Sequence, residues 1–459
     1  MKYTISNIAA SAALVGSALA ASGDFNVLTM NVAGLPEILQ GNDVPGDKTV
    51  NSKTMGSKFS EYNYDMIHVQ EDFNYHAAIY ETDNHPYRSA TSGGVPFGSG
   101  LNSLSIKYFF NYNRVKWNVC SNASGADCLT PKGFTFSEWL ARLPTQPNPT
   151  KTDKFVLPVR VQVDEGIYVD FYNLHADAGT EPDDLKARAA NLKQVADYID
   201  VNSIGNAVVV FGDTNSRYSR TADAIRVFGT QNGLTDTWVE LIRNGVVPTE
   251  ESLCDNPSTT NYCETVDKIL YRAGATVDLK ATYWNYESTK FLQADGNILS
   301  DHNPITANFT YNPGTTLRQS DFWGGPWGNW FSDVPKLATL SKPKATALTV
   351  RGADRLDGVS VTLADGTTFT HGGSGGTAAT LSLEANEFWT GAVLCQGQKN
   401  NHTRNFYIKA TTSTGRSVEA GKTTSDCLTS TAPAGWQIVG FMGQDGDEMD
   451  QLAFVYAPQ

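Results

Sequence analysis

The chain has 459 residues, 40% of them hydrophobic and 18% charged, which is enough apolar side chain for a large core and too much for a disordered segment. Single cores stop growing near ~250–300 residues, so more than one domain is expected. Lys plus Arg number 35 against 48 Asp plus Glu, and the formal net charge of −13 argues against a protein that coats nucleic acid through a basic face, though not against an enzyme that acts on one.

Residues 1–20 read as a signal peptide. Lys2 supplies a positive start, residues 8–19 an Ala-rich apolar stretch, and Ala18-Leu19-Ala20 a small-x-small cleavage site. The expectation is a secreted, extracellular protein. After residue 21 no run reaches the ~18 consecutive apolar residues of a spanning helix, so no transmembrane segment is expected.

Short apolar runs at 25–30, 65–69, 167–174 and 207–211 read as strands, the last apolar throughout and therefore buried on both faces. Between the last two, 183–200 carries Leu185, Ala189, Leu192, Ala196 and Ile199 at helical spacing, with Thr180 and Asp183 as a capping box. Residues 141–153, with three prolines and little apolar content, read as a surface insertion. Strands mixed with helix suit a layered α/β domain over 21–311. A turn-rich linker follows over 312–320. Residues 321–459 are dense in Gly, Thr and short alternating runs, which suits an all-β domain. That second part carries 10 basic and 13 acidic side chains, so most of the negative charge belongs to the first.

The cysteines fall as three close pairs, Cys120 with Cys128, Cys254 with Cys263 and Cys395 with Cys427. Six cysteines allow 15 connectivities. An oxidising compartment and this clustering favour the sequential pairing, and none has the C-x-x-C spacing of a zinc or redox site. Asn122, Asn308 and Asn401 each begin an Asn-x-Ser/Thr sequon.

The apolar runs end in residues able to meet a metal or a phosphate. Residues 28–30 run into Asn31, 67–70 into Glu71, 172–174 into His175 and 210–212 into Asp213-Thr214-Asn215, while Asp267 opens an apolar run and Asp301-His302 lies near the domain end. Strand ends of one sheet layer converge on one edge, where polar groups stay accessible. Hydrolysis of an anionic phosphodiester calls for a divalent cation, a base for water and donors for developing charge. Glu71 and Asn31 are hard oxygen ligands suited to Mg²⁺ or another divalent cation. His302 has the pKa range of a general base, and a buried carboxylate such as Asp267 could fix its tautomer. His68, inside an apolar run, reads as a core residue.

The ordered set NVLTMNVAGLP, HVQED, YNLHADAG, FGDTNSRY, VDKILYR and SDHNPI resembles the endonuclease/exonuclease/phosphatase superfamily, which includes pancreatic deoxyribonuclease and the bacterial sphingomyelinases, across residues 24–311. The resemblance implies a four-layered α/β sandwich of two packed, mostly antiparallel sheets flanked by helices. It implies that Asn31 and Glu71 hold the metal, His175 and Asn215 contact phosphate and Asp213 orients water or the leaving group. Asp267 would pair with His302 as base, with Asp301 beside the metal or phosphate.

The stretch 117–134 and the helix bearing Arg188 are similar to the secreted sphingomyelinases, which tilts the expected substrate towards a sphingolipid head group cleaved in the phospholipase C manner, with peripheral membrane contact. The membrane-inserting aromatic hairpin of bacterial sphingomyelinases is not evident after Tyr271, and Trp284 and Tyr286 are modest substitutes. A secreted deoxyribonuclease-like endonuclease acting on nucleic acid is the second reading and a phosphatase acting on soluble phosphomonoesters the third, while the competing reading of the whole protein is a non-enzymatic glycan-binding adhesin.

Residues 321–459 contain WGGPWG, LDGVSV, HGGSGG and GFMG, which resemble the jacalin-related lectins and imply an all-β prism of three sheets. Their sugar-gripping Gly-x-x-x-Asp loop matches 446–450, so the resemblance implies glycan binding by Gly446, Asp447 and Asp450, with Gly325 nearby.

Overall fold

The computed structural model describes residues 22–38, 44–107, 110–125, 127–138 and 161–459. The expected signal peptide over 1–20 and the surface insertion over 141–153 lie outside them. Among the described residues no helix is long and apolar enough to cross a membrane.

The apolar run at 207–211 becomes the strand Ala207–Asp213, buried along its whole length, as is its parallel neighbour Ile167–Leu174. Strands covered on both faces need a layer on each side. One layer is the helix Pro182–Asn202, which sets Leu192, Val195, Ala196 and Ile199 into the core; the other is a second sheet.

The two sheets are mostly antiparallel. The first runs Val277–Tyr286, Ile305–Pro313, Gly23–Asn31, Met66–Gln70, Asn102–Ser105, Tyr87–Arg88. The second runs Thr235–Asp236, Asp267–Arg272, Ala207–Asp213, Ile167–Leu174, Gly133–Glu138, Phe110–Lys116, with Val161–Asp164 also paired to Ile167–Leu174. Phe25 of the first meets Phe171 of the second edge-on, ring centroids 5.6 Å apart. The helix Lys48–Tyr62 covers the outer face of the first sheet through Met55 and Phe59. Helix, sheet, sheet, helix make the four-layered sandwich.

Two local expectations are corrected. The capping box at the start of Pro182–Asn202 uses Glu181 and Asp184 in place of Thr180 and Asp183: Pro182 takes the first helical position, where its missing N–H costs nothing, and fixes the register. The buried stripe is also rotated. Leu185 and Ala189 are half-buried, whereas Asp184, Arg188 and Asn191 are buried, because the helix seats a polar network against the loops of the site.

The second half forms three sheets round one core. One has five strands, Arg318–Gln319, Met449–Pro458, Trp436–Asp445 and Asn329–Ser332 with Trp323–Gly324 paired to Met449–Pro458. The other two have four each, centred on Leu356–Leu363 with Ala345–Gly352 and on His402–Thr412 with Trp389–Lys399. The halves touch where Tyr168 enters the second core beside Phe322, and where Gly166 donates its backbone N–H to Asp321 Oδ1 at 2.8 Å.

All three cysteine pairs are bonded sequentially, Cys120–Cys128, Cys254–Cys263 and Cys395–Cys427. The third joins residues directly opposite in register across two strands.

Candidate active site

Strand register builds the site. Asp213, last in its strand, lies opposite Asp267, first in its antiparallel neighbour, and bridges on its other side to His175. Gly212 makes the crossing close: a Cβ there would stand 2.4 Å from the Leu174 carbonyl oxygen, so a side chain would push these strands apart where His175 and Asp213 emerge. From the other sheet, Asn31 ends Gly23–Asn31 and reaches across to donate from Nδ2 to Asp213 Oδ2 at 3.2 Å. Glu71 follows Met66–Gln70 at φ 56, and Asn215 sits at φ 49. Left-handed backbone costs a non-glycine residue about 1–3 kcal/mol and clusters at working sites.

His302 Nδ1 lies 2.9 Å from Asp267 Oδ2. A carboxylate only accepts, so Nδ1 carries the proton and Nε2, 3.8 Å from Asp213 Oδ2, is the free basic atom. Burial opposes charge on this imidazole, but Asp267, Asp213 and Asp301 outweigh it and hold His302 well above its ordinary range. His175 is the reverse: burial, then the positive charges of Lys132 and His302, keep it neutral. Burial also raises Glu71 and Asp213, partly offset by Lys132 at the first and by His302 at the second.

Asn31, Glu71, His175, Asp213, Asn215, Asp267 and His302 thus meet at one edge of the sandwich. Glu71, His175, Asp213, Asn215 and His302 line a cleft of about 410 Å³. Asp301 does not line it. Its side chain is exposed beside a second groove of about 220 Å³, which Asp267 and His302 also border. His68 is fully buried, stacked on Phe211 with ring centroids 3.6 Å apart, a core residue as its setting suggested.

Lys132 also belongs here. Its Nζ lies 2.6 Å from Asp127 Oδ1 and 3.3 Å from His175 Nε2, and an anion in the cleft would meet its charge. The sequence signal was present but inverted: Lys132 precedes a strand that runs antiparallel to Ile167–Leu174, so the start of one strand sits beside the end of the other.

The donors fit a hard divalent cation. Glu71 Oε2 and Asp267 Oδ1 are buried without a hydrogen-bond partner, and a carboxyl that burial disfavours as an anion is one that a cation relieves. Asp213, Asp267 and His302 also present ligand atoms within 4.8 Å of one another, although the His302–Asp267 hydrogen bond already occupies two of them.

In the second domain Gly446, Asp447 and Asp450 line a cavity of about 530 Å³ with Trp327, His402 and Arg404. Trp327 stacks on His402 with ring centroids 4.2 Å apart. Asp450 is 3% exposed and ion-paired to Arg404. Gly325 does not line this cavity; its N–H donates to the backbone carbonyl of Asp450 at 2.9 Å.

The sequence matches the Endonuclease/Exonuclease/phosphatase family 2 over residues 47–308. The chain belongs to that family. Residues 320–455 of this family member match the Jacalin-like lectin domain. Sphingomyelinases of Mycobacterium bovis and Mycobacterium tuberculosis are each 37% identical to it over 297 residues, 63% of this chain and 53% of the relative. The chain spans about half the length of the curated relatives it matches. Sphingomyelinase C from Streptomyces griseocarneus aligns with 62% of this chain and 99% of its own at 18% identity and a TM-score of 0.40. A mannose-binding jacalin-related lectin from Ananas comosus aligns with 31% of this chain and 99% of its own at 21% identity and a TM-score of 0.27.

Proposed function

We propose that this endonuclease/exonuclease/phosphatase family member is a secreted, divalent-metal-dependent phosphodiester hydrolase that cleaves a sphingolipid head group in the phospholipase C manner and is held at glycosylated surfaces by its prism domain. The observation that carries the reading is the His302–Asp267 pair directed at a cleft lined by Glu71, His175, Lys132 and Asp213, the last of them hydrogen-bonded to Asn31. The 37% identity to mycobacterial sphingomyelinases supports the lipid as substrate, and the three disulfides suit an oxidising exterior.

Glu71 and Asn31 would hold Mg²⁺ or a similar cation, which supplies charge neutralisation at a non-bridging phosphoryl oxygen. Nε2 of His302 takes the proton of the attacking water. Asp267 fixes the ring through Nδ1 and stabilises the imidazolium that results. Lys132, neutral His175 and the Asn215 amide face the phosphoryl oxygens, and Asp213 spaces the two imidazoles.

With saturating Mg²⁺ the full chain is expected to hydrolyse sphingomyelin, and excess chelator is expected to reduce turnover to background, reversibly on adding metal back. The assay runs beside inositol-phosphate sphingolipids and DNA. Turnover of DNA alone, or lipid turnover indifferent to chelator, ends this reading.

The Asp450 carboxylate and the backbone N–H groups of residues 447–449 suit sugar hydroxyls, which need acceptors and donors at short range. Asp450→Ala is expected to abolish retention of the full chain on a glycan array while leaving sphingomyelin turnover unchanged. A wild-type chain blank on the array would refute the targeting role.

A further inference from the structure

We propose that the rim of the catalytic cleft is a bilayer-docking surface, with Phe97 and Ile38 entering the apolar layer of a zwitterionic, sphingolipid-containing membrane beside the cleft mouth. This rests on the reading of the substrate as a lipid.

Among the described residues the two most exposed large hydrophobic side chains are Ile38 at 93% and Phe97 at 83%. Scattered exposed apolar residues need no explanation, but these two belong to segments that line one cleft. Ile38 lies three residues past Leu35 and Phe97 two past Val95; Leu35, Val95 and the exposed Leu129 all line the cleft that holds Glu71 and His302. The three segments come from separate parts of the chain, so local sequence does not explain their meeting.

Phe97 is held out by construction. Both Phe97 and Gly98 donate their N–H groups to the Gly94 carbonyl, at 2.8 and 3.0 Å, and a Cβ on Gly98 would stand 1.8 Å from the Gly93 oxygen, so only glycine closes this turn. The loop is anchored on the residues after Glu71. Asp72 donates to the Gly100 carbonyl at 2.9 Å, Val95 donates to Asn74 Oδ1 at 3.4 Å, and Asn74 donates to the Gly34 carbonyl at 3.3 Å, which ties in the segment that bears Ile38. No charged residue occurs from 89 through 106, so inserting this loop strips water from no ion.

The occupant follows from the chemistry of the cleft. A volume of about 410 Å³ accommodates a head group, while the two long chains of a sphingolipid stay in the bilayer, so the mouth must meet the membrane plane. The formal net charge of −13 disfavours anionic lipid as the attractant. Trp284 and Tyr286, 3% and 4% exposed, are packed inside and cannot insert.

Binding is measured by flotation of the full chain with unglycosylated vesicles of phosphatidylcholine and sphingomyelin, in chelator so that no turnover intervenes. Each of Phe97→Ser and Ile38→Ser is expected to weaken vesicle partitioning by roughly tenfold and the pair by roughly a hundredfold, given the transfer energy of such side chains. Phe97→Trp is expected to restore it. With Mg²⁺, vesicle turnover by the double variant falls in parallel, while a water-soluble p-nitrophenyl ester of phosphorylcholine is cleaved as by wild type, which also certifies the fold. A double variant that partitions like wild type overturns the proposal, as does a wild-type chain that cleaves the soluble ester but never binds vesicles. Wild-type binding lost in the double variant supports docking even where no phosphodiester is cleaved, a result that would count against the hydrolase reading alone.

Discussion

His302→Ala is expected to lower phosphodiester turnover by about 10²–10⁴-fold, the range that a positioned general base contributes, and to lower the thermal midpoint as well, because the buried Asp267 carboxylate loses its partner, so turnover is compared well below that midpoint. The residue is one-fifth exposed at the cleft, so its loss opens no core cavity. What disappears is, among the described residues, the only imidazole whose protonated nitrogen is committed to a carboxylate and whose other nitrogen faces the cleft. Asp267→Asn separates the two contributions. His302 works as a base only when neutral, and Asp267 is the strongest of the charges that raise its pKa against burial. Activity therefore rises with pH through a limb set by His302. Removing the Asp267 charge lowers that pKa, so the limb moves to lower pH even as maximal turnover drops. The stability linkage has the matching sign: a raised imidazole pKa stabilises the fold below the ordinary value of 6.5, and that contribution is lost as pH rises through the folded value. Rate profiles over pH for both variants check this. Full turnover by a folded His302→Ala, or a limb that moves upward in Asp267→Asn, would show that another group is the base.

The elements that sequence made legible are those whose burial is apolar. The run at 207–211 and its neighbour at 167–174 announce themselves by composition, and the polar residue that ends each one follows because a strand must leave the core somewhere. Asn31, Glu71, His175 and Asp213 were found in this way. Lys132 escaped because a rule about strand ends does not see that an antiparallel neighbour delivers its beginning to the same edge. The helix Lys48–Tyr62 escaped for a different reason. Its buried face includes Lys48, Asn51, Ser52 and Gly56, which carry no apolar period, and Lys48 is buried because its ammonium donates to the Ala33 and Leu35 carbonyls at 2.9 and 2.8 Å. Asp301 sits at the margin of the site: it is exposed and lines the neighbouring groove rather than the cleft, yet its charge acts on both His302 and Glu71. Gly325 likewise bonds the backbone of Asp450 without lining the lectin cavity.

The rotated face of the Pro182–Asn202 helix sets up the second large effect, at Arg188. Its side chain is 1% exposed, and its guanidinium donates to the Asp177 and Gly179 carbonyls at 3.1 and 2.7 Å and to Asp223 Oδ1 at 2.7 Å. Asp223 Oδ2 in turn accepts from Arg220 Nε at 2.7 Å and from the Arg217 N–H at 2.8 Å, and Arg220 reaches the Asn215 carbonyl. One buried cation thus ties the loop after His175 to the loop after Asp213. Removing one member of a buried pair costs about 3–5 kcal/mol, because the other is left under-compensated in a place water cannot reach. Arg188→Met, which keeps volume but not charge, is therefore expected to lower the thermal midpoint by roughly 10 °C for a domain of this size. Arg188→Lys should recover only part of that, since one ammonium cannot span two carbonyls and a carboxylate as a planar fork does. Turnover measured well below the lowered midpoint distinguishes a brace for the site from a purely global stabiliser. Loss of the tie lets Asn215 and Ala178 drift from the cleft, so maximal turnover falls while the protein is still folded. A variant that melts early yet turns over at the wild-type rate in the cold would assign Arg188 to the fold and not to the placement of the site.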